Sequence, residues 1–278
     1  MSLNQSYKEL AIPYFKEVFE VIDGVMIHNH IPYYLIGVNA LTLELLKKGI
    51  RPSRGTKDID FAVMVSSIHE YEQIIADLEE RGFLKVKAPW TLYHEQFRVV
   101  VDLLPFGEIE ENDTVSFNER YSNLHVLGFK EVLEDAENIE MEEITIQVPP
   151  IPGMALLKLV AWSDRPEERD NDLADILKIF EHFYDYEWDN IVEHHHDLFT
   201  KEPFDQLKIS SRVLGREARK YLNKSKQLKS RILKVLKENL QYPEKSFIAR
   251  EWARRKDTDI QYMQEVLAEF ETGIKEVE

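Results

Sequence analysis

The chain has 278 residues, 44% hydrophobic and 31% charged, enough for one large or two ordinary globular domains and unlike a disordered or fibrous class. No apolar run approaches the roughly 20 residues of a membrane helix, and the N-terminus lacks a signal-peptide core, so a cytoplasmic protein with no membrane partner is expected. Cysteine is absent and the formal charge is −16, which excludes disulfides and cysteine nucleophiles and leaves any metal to Asp, Glu or His.

Residues 4–30 carry apolar residues at helical spacing, with Pro13 and Gly24 as candidate interruptions. A short buried strand follows at 33–37, then a helix at 38–49 closed by Gly49. After the loop IRPSRGT comes a strand that opens with Asp58 and Asp60, and then a helix at 67–82 with Ser66 or Ser67 as its cap. FLKVK and TLYHEQ read as short strands, and FRVVVDLLPF (97–106) is the strongest apolar run of this half. Between 107 and 150 an acidic stretch holds strand-like LHVLGF and EITIQVP around a short helix, KEVLEDA. VPPIPG (148–153) breaks both kinds of element and divides the chain into an α/β domain, 1–150, and a helical domain, 151–278. The fold class is therefore α+β, a mixed sheet flanked by helices followed by a helical domain.

Side chains alternate faces along a strand, so Asp58 and Asp60 point the same way while Ile59 and Phe61 point the other. Two neighbouring carboxylates repel unless a proton or a cation intervenes. Taken alone, the pair better fits an acidic strand end that meets solvent or an arginine, and it is the surrounding context that reverses this. Asp102 sits in the middle of VVVDLLPF, where an ionised group is costly without a counter-charge. If its strand lies beside that of Asp58 and Asp60, the three carboxylates suit Mg²⁺, a hard ion that takes oxygen ligands, carrying a nucleoside triphosphate (NTP).

The ordered set of strand, turn at Gly37, helix, D-x-D strand and later strand with a lone Asp resembles the polymerase-beta-like nucleotidyltransferase superfamily. More closely, IGVNALTLELLKKGIRPSRGTKDIDFAV resembles the AbiEii/AbiGii-type nucleotidyltransferase toxins, in the glycine motif at Gly37 and in the R-x-T-x-D-x-D segment of Arg54, Thr56, Asp58 and Asp60. The likeness continues through LLKLVAWSDRPEERDNDLADI with Lys158, Arg165, Asp172 and Asp175. It departs from the family at Val38, where a second small residue is usual, and at Asn171, where a lysine is frequent. The resemblance implies metal binding by Asp58, Asp60 and Asp102, with Asp102 helping to deprotonate the attacking hydroxyl. It also implies phosphate contacts at Gly37, Val38, Arg54 and Thr56, and neutralisation of phosphate charge by Lys158 and Arg165. Asp172 and Asp175 share a helix face, so Lys158 and Arg165 also fit ordinary salt bridges to them. An antitoxin partner is implied as well.

Charge is unevenly distributed, with 17 Lys and Arg against 6 Asp and Glu in residues 201–256 of an otherwise acidic chain. That basic segment suits either a solvated face or a phosphate-docking surface for an RNA acceptor, such as a tRNA end. A small cationic acceptor of the aminoglycoside kind would instead suit the acidic first 200 residues, and a non-catalytic nucleotide-binding protein of the same fold is the third reading. The run EHHHDLF (193–199) reads as polar surface, since consecutive helical residues diverge by about 100° and cannot easily share one ion.

Overall fold

The computed structural model describes residues 12, 14–50, 58–86, 88–117, 122–141, 144–200 and 203–276. The chain divides into two compact units, Met1–Pro150 and Ile151–Glu278.

The first unit opens with helix α1 (Phe15–Asn29), which runs through Gly24 without interruption, followed by β1 (Tyr33–Leu35) and α2 (Gly37–Lys47). Helix α2 ends in a Schellman turn: Gly49 N–H donates to Leu46 O at 2.9 Å and Ile50 N–H to Leu45 O at 3.0 Å, with Gly49 left-handed at φ 75°. Next come β2 (Asp58–Val65), α3 (Ile68–Glu79), β3 (Phe83–Lys85), β4 (Thr91–His94) and β5 (Val99–Gly107). Ser67 caps α3 by accepting from Glu70 N–H at 3.2 Å, while the Glu70 carboxylate accepts from Ser66 N–H at 2.6 Å.

These five strands form one mixed sheet in the order β1-β2-β5-β4-β3, in which only β2 and β5 run parallel. Ile59, Phe61, Val63 and Val65 of β2 are all buried, because the period of two sends them to the apolar face. There Phe61 packs on Phe19 of α1 with ring centroids 6.0 Å apart, and Tyr71 of α3 donates its hydroxyl to Leu103 O at 2.9 Å. The opposite face of β2 carries Asp58 and Asp60. Pairing by parity thus leaves the acidic residues on the side away from α1.

Two hairpins complete the unit, β6 (Thr114–Phe117) with β7 (Ser122–His125) and β8 (Glu137–Met141) with β9 (Ile144–Val148), separated by the short α4 (Phe129–Leu133). Strands β6 and β8 go beyond the sequence expectation. ENIEM of β8 buries only Ile139 and Met141, so its alternation is hidden by the acidic residues between them.

The second unit holds α5 (Ile151–Asp164), α6 (Asp170–Tyr186), α7 (Trp188–His194), α8 (Gln206–Lys224), α9 (Lys226–Leu240), α10 (Phe247–Lys256) and α11 (Ile260–Lys275). Pro152, expected to break structure, lies in the first turn of α5, where a missing N–H is harmless. Asp205, Ser225, Ser246 and Asp259 cap α8 to α11 through their side chains. Phe180 lies 5.0 Å from the Trp252 ring and 5.2 Å from that of Phe270, and Trp252 donates its indole N–H to Leu173 O at 2.9 Å. Helices α8 and α11 touch backbone to backbone at Gly215 and Gly273, where a Cβ on either would overlap the other helix's main chain. Among the described residues no helix is long and apolar enough to cross a membrane.

Candidate active site

In the parallel pairing of β2 with β5, Asp60 stands opposite Asp102 and Asp58 opposite Val100. Registered partners share a face and adjacent strands run about 4.8 Å apart. Asp58, Asp60 and Asp102 therefore lie on one side of the two central strands, the first exposed and the other two half-buried. Thr91 of β4 pairs with Asp102 from the other side and extends this row.

The turn from β1 into α2 is built against the same spot. Ile36 N–H donates to Asp60 O at 2.9 Å, which fixes the turn on the strand. Gly37 then adopts φ 68°, and a Cβ there would overlap the Asp60 carboxyl oxygen and stand 3.1 Å from its Cγ. Glycine is needed twice over, for the left-handed backbone and for the space that Asp60 occupies. Val38 follows in the first turn, half-buried. Asn39 was not singled out by the sequence, yet it is 2% exposed and its amide donates to Asp58 O at 3.0 Å. An asparagine in the first turn, flanked by the apolar Val38, Ala40 and Leu41, was the available signal. Helix α2 thus starts beside the carboxylates, so the positive end of its dipole and its first N–H groups lie with them.

The donor set here is oxygen only, which fits a hard divalent cation. As the side chains rest, no three His, Asp or Glu are gathered into a metal cluster among the described residues. Holding an ion would draw together carboxyls whose backbones the register already makes neighbours. Arg54 and Thr56 lie outside the described residues.

Lys158, Arg165, Asp172 and Asp175 belong to the second unit. Lys158 is buried, and its Nζ donates to Asp175 at 2.8 Å and to Asp172 at 3.2 Å. Burial works against the ammonium, but the two carboxylates outweigh it and hold Lys158 above its usual range. The salt-bridge reading of Lys158 is what its geometry displays. For Arg165 it is not: Arg165 is exposed and reaches Glu168 at 3.5 Å, while Arg169 takes the place expected for it, with Nη1 3.3 Å from Asp172.

The basic segment is less open than its composition suggests. Lys208 meets Glu265 at 2.7 Å; Arg212 meets Glu269 at 3.0 Å and Glu276 at 2.9 Å; Arg216 meets Asp197 at 2.7 Å and Glu276 at 2.5 Å. Acidic residues of α11 and its end therefore neutralise much of α8. The expected polar surface run at 193–199 also needs correction at His195, which is only 9% exposed. Arg216 approaches its Nδ1 at 3.0 Å and can only donate, so the ring proton sits on Nε2, 3.4 Å from Glu217. That contact holds the Glu217 carboxyl below its ordinary range.

No curated protein matches the chain. Among solved structures it is similar to an antigenic nucleotidyltransferase-like protein from Paracoccidioides brasiliensis, with 16% identity, TM-score 0.41, and coverage of 81% of this chain and 93% of that one. It is also similar to the antibiotic-resistance factor ANT(2'')-Ia, with 14% identity, TM-score 0.37, and coverage of 65% and 96%. A third, the cyclic dinucleotide synthase CdnE of Elizabethkingia meningoseptica, has 10% identity, TM-score 0.29, and coverage of 94% and 92%. The family described as "Nucleotidyl transferase AbiEii toxin, Type IV TA system" matches residues 45–265, a span that includes the D-x-D strand, Asp102 and Lys158 and begins after Gly37. The chain belongs to this AbiEii family of toxins from type IV toxin–antitoxin systems, and it is a nucleotidyltransferase.

Proposed function

We propose that the protein transfers a nucleoside monophosphate from an NTP to a hydroxyl of RNA, such as a tRNA end, in a Mg²⁺-dependent reaction restrained by an antitoxin. In this reading the acceptor oxygen bonds to the α-phosphorus as the bond to pyrophosphate breaks, and the hydroxyl proton passes to a carboxylate, with Asp102 as the base. Asp58, Asp60 and Asp102 would hold the metal, which when bound offsets the charge of the triphosphate. The N–H groups of Gly37 and Val38 at the start of α2 would receive phosphate oxygens, assisted by Arg54 and Thr56. Asn39 would keep that turn seated on the aspartate strand. Lys158, locked between Asp172 and Asp175, would serve the second unit as a structural ion pair joining α5 to α6.

The observation that carries the reading is the register of Asp60 with Asp102, with Asp58 two residues away on the same face. Incubation with each labelled NTP and total RNA in Mg²⁺ tests it. Label should move to RNA with the wild type and not with Asp58→Ala; transfer that survives the substitution sinks the assignment. A small cationic acceptor remains the second reading, favoured by the 38 Asp and Glu against 17 Lys and Arg in residues 1–200. Label moving to an aminoglycoside and not to RNA would select it.

A further inference from the structure

The eight basic residues between 218 and 237 have no acidic residue among them in sequence, and five lie on α9, where Lys226, Lys234 and Lys237 are exposed while Arg231 is met by Asp164 at 2.8 Å. Leu228, Ile232, Val235, Leu236 and Asn239 form its buried stripe. At about 100° per residue, Lys226, Lys234 and Lys237 fall on the opposite side, a face about 16 Å long, and the half-buried Lys229 lies on its flank. Lys234 reaches Glu238 only at 4.0 Å, both well exposed, and Lys229 reaches the neutral Asn223 at 3.3 Å. This differs from α8, whose Lys208, Arg212 and Arg216 are met by carboxylates at 3.0 Å or less. Just past the end of α9, Tyr242 is 53% exposed with Lys245 Nζ 4.7 Å above its ring.

We propose that the outward face of α9, with Tyr242 beyond it, docks the sugar-phosphate backbone of the RNA acceptor, an inference that rests on the RNA reading above. Phosphates are recognised by a row of cations whose counterions they release, and an exposed tyrosine gives an unpaired base a stacking surface. A membrane is a poorer fit, because the apolar stripe that would enter the lipid is already buried within the unit. A protein partner is poorer too, since Leu233 is the one large apolar residue amid the lysines and interface cores are rich in such anchors.

The test is fluorescence anisotropy of a labelled tRNA transcript with the full chain between 50 and 200 mM salt. Wild-type affinity should fall steeply with salt. The combined Lys226→Gln, Lys229→Gln, Lys234→Gln, Lys237→Gln protein should bind about 10- to 100-fold more weakly at low salt, with a slope shallower by about three. Lys208→Gln, already neutralised by Glu265, should leave the slope unchanged, and Tyr242→Ala should weaken binding about tenfold without changing it. Wild type that binds RNA steeply while the four-lysine protein matches it overturns the surface and spares the RNA reading. Wild type that ignores RNA at 50 mM salt overturns both. Tighter binding to phosphatidylserine vesicles or to polyglutamate than to RNA, lost in the four-lysine protein, assigns the face to a membrane or an acidic protein and overturns the proposal. If the fourfold protein melts early, the Lys226→Gln, Lys237→Gln pair is read by the same criteria.

Discussion

The two units handle charge in opposite ways. In the first, like stands beside like: Asp60 is registered on Asp102, Asp58 shares their face, and the turn at Gly37 is shaped around one of the carboxyls. In the second, opposite charges interlock, as with Lys158 between Asp172 and Asp175, and Arg212 and Arg216 against Glu269, Glu276 and Asp197. Folding gains nothing from crowding carboxylates, so such a group signals a ligand. Matched pairs satisfy themselves and signal architecture.

Substitutions separate these two cases. The largest effect is expected from Asp58→Ala, which should lower nucleotidyl transfer by about three orders of magnitude while the melting temperature stays level or rises. Radiolabel transfer beside thermal melting reads both. Lys158→Ala should do the reverse, destabilising the protein by about 3 kcal/mol because two buried carboxylates lose their counter-charge; a denaturant midpoint unchanged from wild type would refute the structural role. Gly37→Ala should cost about 2 kcal/mol from its left-handed backbone and displace Asp60, with turnover falling further than stability does. A smaller effect is expected with pH. The value for Lys158 is raised in the folded protein, so its contribution is complete below about 10.4, the unfolded value, and is lost as pH rises through the folded one. Melting followed from pH 9 to 11 should show this loss in the wild type and its absence in Lys158→Met. Ser67→Ala, which removes only the cap of α3, should cost about 1 kcal/mol and leave transfer per folded molecule intact.

Much of this was legible from the chain itself, and the exceptions have physical reasons. The period of two in DIDFAVMV gave the shared face of Asp58 and Asp60, and the lone charge in VVVDLLPF marked Asp102. The parallel partnership of these strands depended on the fold, since a register is set by long-range contacts. Asn39 went unseen because its partner is a backbone carbonyl 19 residues away. Arg169 was hidden by Arg165, which matches the family pattern yet ends up exposed one turn earlier. Composition overstated the basic segment, because the acids that offset α8 come mostly from α11, some 57 residues later in the Lys208–Glu265 pair. Helix α10 escaped notice since its buried positions, Ile248, Ala249, Trp252 and Ala253, are few among the charges, and a helix so short depends on tertiary packing.

The crossing of α8 over α11 at Gly215 and Gly273 couples the histories of two distant segments. With main chain touching main chain, a methyl gained at either position has nowhere to go, and the arginines and glutamates flanking the contact hold their distances only while the helices stay that close. Divergence from this sequence is thus expected to proceed there in paired steps, with change at one crossing residue tolerated only after the facing helix has shifted.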